Sequence, residues 1–254
     1  MKLGQITSYI DVAQVTLYVF WIFFAGLLFY LRREDRREGY PMITEPYGDV
    51  KDHGFIYFPD PKVFRMADGS TIEAPGDRAD NRDHKLVKAE PWPGAPYNPV
   101  GDPMLAGVGP GSWAERSDKP DLMHDKPRIA PLRLATEFFI ESREPDPRGM
   151  TVVGADGRSG GTVRDVWVDR MEVIIRYLEV ETTGGRRVLL PMTFSTINGR
   201  RKEVEVNAIT SSQFAAVPAL KSPDQISLLE EDKVCAYYGA GTLYAEASRA
   251  EPLL

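Results

Sequence analysis

The longest uncharged, predominantly apolar stretch of the chain runs from Val12 to Leu31 and stops abruptly at Arg32-Arg33-Glu34-Asp35-Arg36-Arg37. A helix rises ~1.5 Å per residue, so about 20 such residues cross the ~30 Å hydrocarbon core of a bilayer. The pattern predicts a short segment 1–11 followed by a membrane-spanning helix over 12–31. Beyond about Leu132 the period changes to two. In Lys202–Ala208, Val204, Val206 and Ala208 share one face while Glu203, Glu205 and Asn207 share the other. Ile174, Arg176, Leu178 and Val180 likewise oppose Ile175, Tyr177, Glu179 and Glu181. Turn signals at Ala155-Asp156-Gly157, Thr183-Gly184-Gly185 and Ile197-Asn198-Gly199 separate these runs. Residues 132–254 therefore read as a mainly-β domain, a small antiparallel barrel or sandwich. It closes with a helix that starts at Ser222-Pro223, with Ser222 as cap, and stops near Gly239.

The flanks of the apolar run set its orientation. Only Lys2 is basic before it, whereas four arginines follow it, so the N-terminus is expected outside the cytoplasm and everything after Leu31 inside. A signal peptide would have a shorter apolar core, with basic residues before it and small residues behind. Tyr18, Trp21 and Tyr30 suit interfacial positions, and Phe20, Phe23, Phe24 and Phe29 would meet lipid or a partner helix. Ala25 and Gly26 would permit close helix packing. Arg32, Arg33, Arg36, Arg37 and Tyr40 are expected lipid-headgroup contacts.

Between the two patterned regions lies segment 32–131, rich in proline and glycine, which disfavour long strands and helices. Phe55, Tyr57, Phe58, Phe64, Trp92, Tyr97 and Trp113 make it too apolar for a disordered tether. An extended chain laid over the surface of another protein fits both properties.

The net charge of −6 argues against nucleic acid as a partner. The single cysteine, Cys235, excludes an internal disulfide, and its apolar neighbours mark it as a buried, inert thiol. Gly107-Val108-Gly109-Pro110-Gly111 follows no predicted strand and is broken by proline, so it reads as a turn rather than a nucleotide loop. His53, His84 and His124 lack metal-ligand spacing, and no Walker loop, nucleophile elbow or His-Glu-x-x-His helix occurs. The chain does not read as an enzyme. The most chemically suggestive stretch is Arg164–Glu172, where Asp165, Trp167 and Asp169 alternate onto one face and Glu172 follows. Two readings stand: an ordinary solvated face, or a relay of partly buried carboxylates with raised, coupled pKa values.

Five segments taken together carry a resemblance: Phe20-Trp21-Ile22-Phe23, Arg37-Glu38-Gly39-Tyr40-Pro41, Asn98–Met104, Asp165-Val166-Trp167-Val168-Asp169 and Leu228–Cys235. In this order and spacing the chain resembles the H subunit of the purple-bacterial photosynthetic reaction centre, a PRC-barrel family. The resemblance implies one transmembrane helix and a cytoplasmic PRC-barrel domain capping the L and M subunits in the bacterial inner (chromatophore) membrane. It implies that bacteriochlorophyll, bacteriopheophytin, quinones and non-haem iron belong to partner subunits, none being held by this chain alone. A cytochrome subunit and the light-harvesting 1 antenna would complete the assembly. Residue by residue, Asp169 and Glu172 match acids on the proton route toward the secondary quinone, and Arg176 matches their basic neighbour. His124, with Asp121 and Asp125, falls where the family gathers protons at its surface; one histidine stands here where the family has a pair. A membrane-tethered PRC-barrel adaptor of another complex is the alternative.

Overall fold

The computed structural model describes residues 6–7, 10–38, 59–76, 82 and 84–249, and the backbone alone at 43–44 and 48–49. Tyr40, His53, Phe55, Tyr57 and Phe58 lie outside the described residues. The chain divides into two units, residues 1–82 with 91–95, and residues 83–90 with 96–254.

The first unit is built on helix α1 (Val12–Glu34). Asp11 caps it, its side chain accepting from the Gln14 amide at 2.7 Å, and Arg32 and Arg33 occupy the last turn. An acid at the start and bases at the end both complement the helix dipole. None of the helix is buried within the chain. Phe20 stacks on Phe24 at 5.8 Å and Trp21 meets Phe24 edge-on at 5.9 Å, forming an aromatic band. A helix this apolar and this unburied needs an apolar surrounding, either lipid or other helices. The helix runs three residues past the expected end at Leu31. Glu34 makes this extension favourable, pairing with Arg37 at 2.8 Å and Lys62 at 2.7 Å. Two small hairpins complete the unit: β1 (Ile43–Thr44) with β2 (Gly48–Asp49), and β3 (Lys62–Arg65) with β4 (Thr71–Ala74).

The second unit opens with β5 (Leu86–Lys88) paired to β6 (Tyr97–Pro99), then β7 (Leu122–Met123) paired to β8 (Lys126–Pro127). Between 59 and 127 no described strand exceeds four residues, as its prolines dictate. The glycine-rich stretch at 107–111 is a turn, with a 3-10 segment Gly109–Gly111.

The larger sheet joins β9 (Ile129–Pro131), β10 (Thr151–Val153), β11 (Ser159–Asp169), β12 (Ile174–Thr182), β13 (Arg187–Pro191), β14 (Thr196–Asn198) and β15 (Glu203–Glu205). Its order is β13-β12-β11-β10-β15-β14, with β9 also on β11. The pairing is antiparallel except for β10 with β15, which run parallel. The long excursion between those two strands, through β11 to β14, permits that pairing. Val152, Val163, Val166, Leu178, Val180, Leu190, Val204 and Phe214 are buried in the core. Each such valine or leucine contributes about 1.5–3 kcal/mol relative to exposure. The alternation read at 202–208 holds, since Val204, Val206 and Ala208 are buried, although only three residues of it form a strand.

Helix α2 (Leu228–Tyr244) starts six residues after the expected cap. Ser227, not Ser222, accepts from the Glu230 amide, and Glu230 returns a bond to the Ser227 amide at 2.8 Å. The amides of Leu228 and Leu229 are claimed by the carbonyls of Lys119 and Ser117. Ser222-Pro223-Asp224-Gln225 is instead a bridged turn. The helix also passes through Gly239 rather than stopping there. A Cβ on Gly239 would lie 2.8 Å from the Pro110 carbonyl oxygen, and one on Gly241 would meet the Ala208 carbonyl. These glycines let backbones approach. Gly241→Ala should therefore destabilise the domain by about 1–3 kcal/mol despite alanine's better helix propensity. That corresponds to about 2–4 °C per kcal/mol in thermal unfolding of the full chain. A melting temperature at or above wild type would contradict the close approach.

Candidate functional site

Strand β9 lies beside the end of β11, with Ile129 opposite Asp169. Arg128, immediately before β9, is thereby delivered to the Asp169 carboxylate. Its Nε donates to Oδ1 at 3.0 Å and its Nη2 faces Oδ2 at 2.8 Å. After Asp169 the chain turns sharply, with Val173 at φ +57° and its amide bonded to the Asp169 carbonyl. The Asp169 side chain organises this turn by accepting from the amides of Met171 at 3.0 Å and Glu172 at 3.1 Å. The turn places Glu172 so that Arg128 Nη2 donates to its Oε1 at 2.6 Å. Arg128 Nη1 also reaches Asp121 at 3.3 Å.

One guanidinium thus gathers three carboxylates of very different exposure. The Asp169 side chain is 0% exposed, while Glu172 is 50% and Asp121 43% exposed. Burial pushes the Asp169 carboxyl up, but the Arg128 guanidinium and the two turn amides outweigh it and hold it below the usual carboxylate range. Arg128 is in turn pushed up, chiefly by Asp169. Asp169 is accordingly a fixed negative charge at neutral pH. This overturns, for Asp169, both the solvated-face reading and the raised-pKa reading.

Asp121, His124 and Asp125 belong to one hairpin. His124 and Asp125 form its two-residue tip, both with positive φ (50° and 62°), and both are exposed. The Arg128 amide closes the hairpin base on the Asp121 carbonyl at 2.8 Å. Asp121 from the expected surface group thus meets Asp169 and Glu172 from the expected internal route at Arg128, while His124 and Asp125 stay at the hairpin tip. Arg176 does not join them. It is exposed, and its charge acts on Glu231 and Cys235. The basic neighbour of Asp169 and Glu172 is Arg128 instead.

Asp165 belongs to a separate cluster. β11 is bulged between Val163 and Asp165, and its register with β12 shifts again between Trp167 and Val168. Arg133 Nη1 donates to Asp165 at 2.9 Å and to Glu179 at 2.7 Å, and its Nη2 to Asp224 at 2.8 Å. Glu179 also accepts from the Trp167 indole at 3.0 Å and from Arg187 at 3.1 Å.

A further acid escaped the sequence reading. Glu231 accepts from the Tyr177 hydroxyl at 2.9 Å, and that hydroxyl lies 3.9 Å from Cys235 Sγ. Burial pushes the Glu231 carboxyl up, and it pushes the Cys235 thiol up as well, which leaves the thiol unreactive. The only sequence signal was that Glu231 precedes Cys235 by one helical turn. Among the described residues no group of three His, Cys, Asp or Glu side chains could hold a metal ion.

The four arginines that follow Leu31 are engaged unevenly. Arg37 is spent internally on Glu34 and on the carbonyls of Asp60 and Ala74. Arg32, 69% exposed in its pair with Asp35 at 3.3 Å, is the most exposed of the four.

The lowered Asp169 value makes a stability prediction. A carboxyl whose pKa is lower folded than unfolded (~3.9) stabilises fully above the unfolded value. That contribution is lost as pH falls through the folded value. Asp169→Asn should cost about 1–3 kcal/mol at pH 7. The gap to wild type should narrow below about pH 4. Denaturant unfolding of both proteins across this range checks it, and a pH-independent gap would contradict it.

Two family models match the chain. Residues 4–134 match the photosynthetic reaction centre H-chain N-terminal region, and residues 140–213 match the PRC-barrel domain. The second match covers strands β10 to β15, and with them the end of β11 at Asp169 and the turn that bears Glu172. The first covers more than half of the 254 residues, including α1 and Arg128. The chain belongs to the photosynthetic reaction-centre H-chain family.

Proposed function

We propose that this chain caps the L and M subunits on the cytoplasmic side of the membrane, shields the quinone region and conducts protons toward the secondary quinone. In this reading α1 anchors it as a single pass with the N-terminus periplasmic, and segment 32–131 lies over partner subunits. The carrying observation is the convergence of Asp121 and Glu172 on Arg128, with His124 and Asp125 exposed at the tip of the same hairpin as Asp121.

The groups divide the work by burial. His124 and Asp125, exposed at the hairpin tip, are the groups assigned to proton entry. Asp169, held ionised, provides a permanent negative charge that favours protons nearby without carrying one. Arg128 keeps the three acids in register and prevents the negative charge from accumulating. Glu172, half exposed on the turn and at the outer edge of the cluster, is the acid assigned to carry the proton in this reading. A quinone held by the partner subunits supplies the redox chemistry, taking two electrons and two protons to become quinol.

The surroundings of Glu172 support its placement against partners. Phe139 is 82% exposed and Val173 67%, with Met171 and Ile174 also exposed beside the acid. Such a rim of large apolar side chains marks a surface that another protein covers. A partner docked there would exclude water from Glu172 and direct its proton inward.

Glu172→Gln keeps the shape and one acceptor but cannot carry a proton. In complexes containing this variant the proton-coupled second electron transfer to the quinone should slow by about tenfold or more, with primary charge separation unchanged. Flash-induced absorbance kinetics read both steps. A second transfer as fast as wild type would overturn the assignment of Glu172.

A further inference from the structure

On the domain's Arg133 side a cavity of about 250 Å³ opens between β12–β13 and the chain at 219–223, and nothing in the proton route uses it. Its wall is apolar and firm, formed by Trp167, Val188 and Leu189, all buried, with Leu220 closing one side. Three cations also line it, Arg186, Arg187 and Lys221. Arg187 pairs with Glu179, and Lys221 pairs with Asp118. Arg186 makes no ion pair among the described residues; its guanidinium donates to the carbonyls of Ala215 and Val217.

The single acid in the wall, Glu179, does not make the cavity anionic. Its oxygens are taken by Arg133, Trp167 and Arg187. With Arg187 and Lys221 each balanced by an acid, Arg186 leaves one positive charge at the mouth that no carboxylate among the described residues offsets. A dry apolar wall with a few convergent polar groups is the general form of a small-molecule site. The volume restricts the occupant further. An engineered apolar cavity of about 150 Å³ takes up benzene, so this one accommodates a single ring with a polar substituent.

The geometry points to a binding site for a small aromatic or cyclic carboxylate, its ring against Trp167, Val188 and Leu189 and its carboxylate on Arg186 and Arg187. The cavity is lined by none of Arg128, Asp121, Asp169 or Glu172, so the site stands independently of proton conduction.

The test uses the full chain in lipid nanodiscs, with 4-fluorobenzoate as the probe and 4-fluorobenzyl alcohol as its neutral counterpart, followed by fluorine NMR. Saturable binding of the benzoate is expected, with the alcohol at least about tenfold weaker, since losing one charge-assisted contact is worth that much. Arg187→Gln should weaken the benzoate by about tenfold. Ala219→Phe, which adds bulk to the cavity lining, should abolish binding; circular dichroism confirms that each variant is folded. Equal binding of acid and alcohol would mean partition into lipid and overturn the site. So would benzoate binding that survives Ala219→Phe, or no saturable binding at all.

Discussion

A fully buried carboxylate must be paired or it will not remain charged, and Asp169 meets this requirement through Arg128 and two turn amides. That constraint organises its whole neighbourhood. It holds β9 against the end of β11, because the residue that supplies the guanidinium sits one position before the strand. It closes the turn from which Glu172 projects, and it ties the hairpin bearing His124 to the sheet through Asp121. Removing Arg128 would leave the Asp169 carboxylate stranded in the interior, so the arrangement of the outer acids depends on this pair.

The same logic, repeated around Arg133, explains why acids that are neighbours in the sequence separate in space. Asp165 and Asp169 are four residues apart on one strand, yet each is claimed by a different arginine from the segment just before or after β9. The bulges in the β11–β12 ladder provide the twist that turns the two carboxylates toward different partners. One cluster stays open at Glu172 beside an exposed apolar rim, the other is walled in by Trp167 and Glu179. Two sites of distinct chemistry thus share a single sheet.

What was legible in the sequence was whatever is encoded locally. The start of α1 and most of its span followed from an uncharged, largely apolar run, and the turns at Asp156-Gly157 and Gly184-Gly185 from backbone chemistry that few other residues provide. The start of α2 was not decidable locally. Ser222-Pro-Asp-Gln225 and Ser227-Leu-Leu-Glu230 both offer a capping signature, and the second wins because carbonyls at 117 and 119 satisfy the amides that follow it. Gly239 read as a stop because a helix interior gains nothing from glycine, until Pro110 packs against it. Arg128 was invisible as a site residue because its partner lies 41 positions away. The pairing of distant strands alone brings them together. Arg176 took its expected role from resemblance, and Arg128 occupies the place where that role would be exercised.

Assembly with pigment-bearing subunits is the claim on which the proton route rests, and one spectrum addresses it most directly. The chain, tagged and purified from its native membranes in mild detergent, should bring with it near-infrared bands of bacteriochlorophyll and bacteriopheophytin that bleach reversibly in light. A colourless preparation that retains other protein partners would contradict it and favour a membrane-tethered adaptor of a different complex.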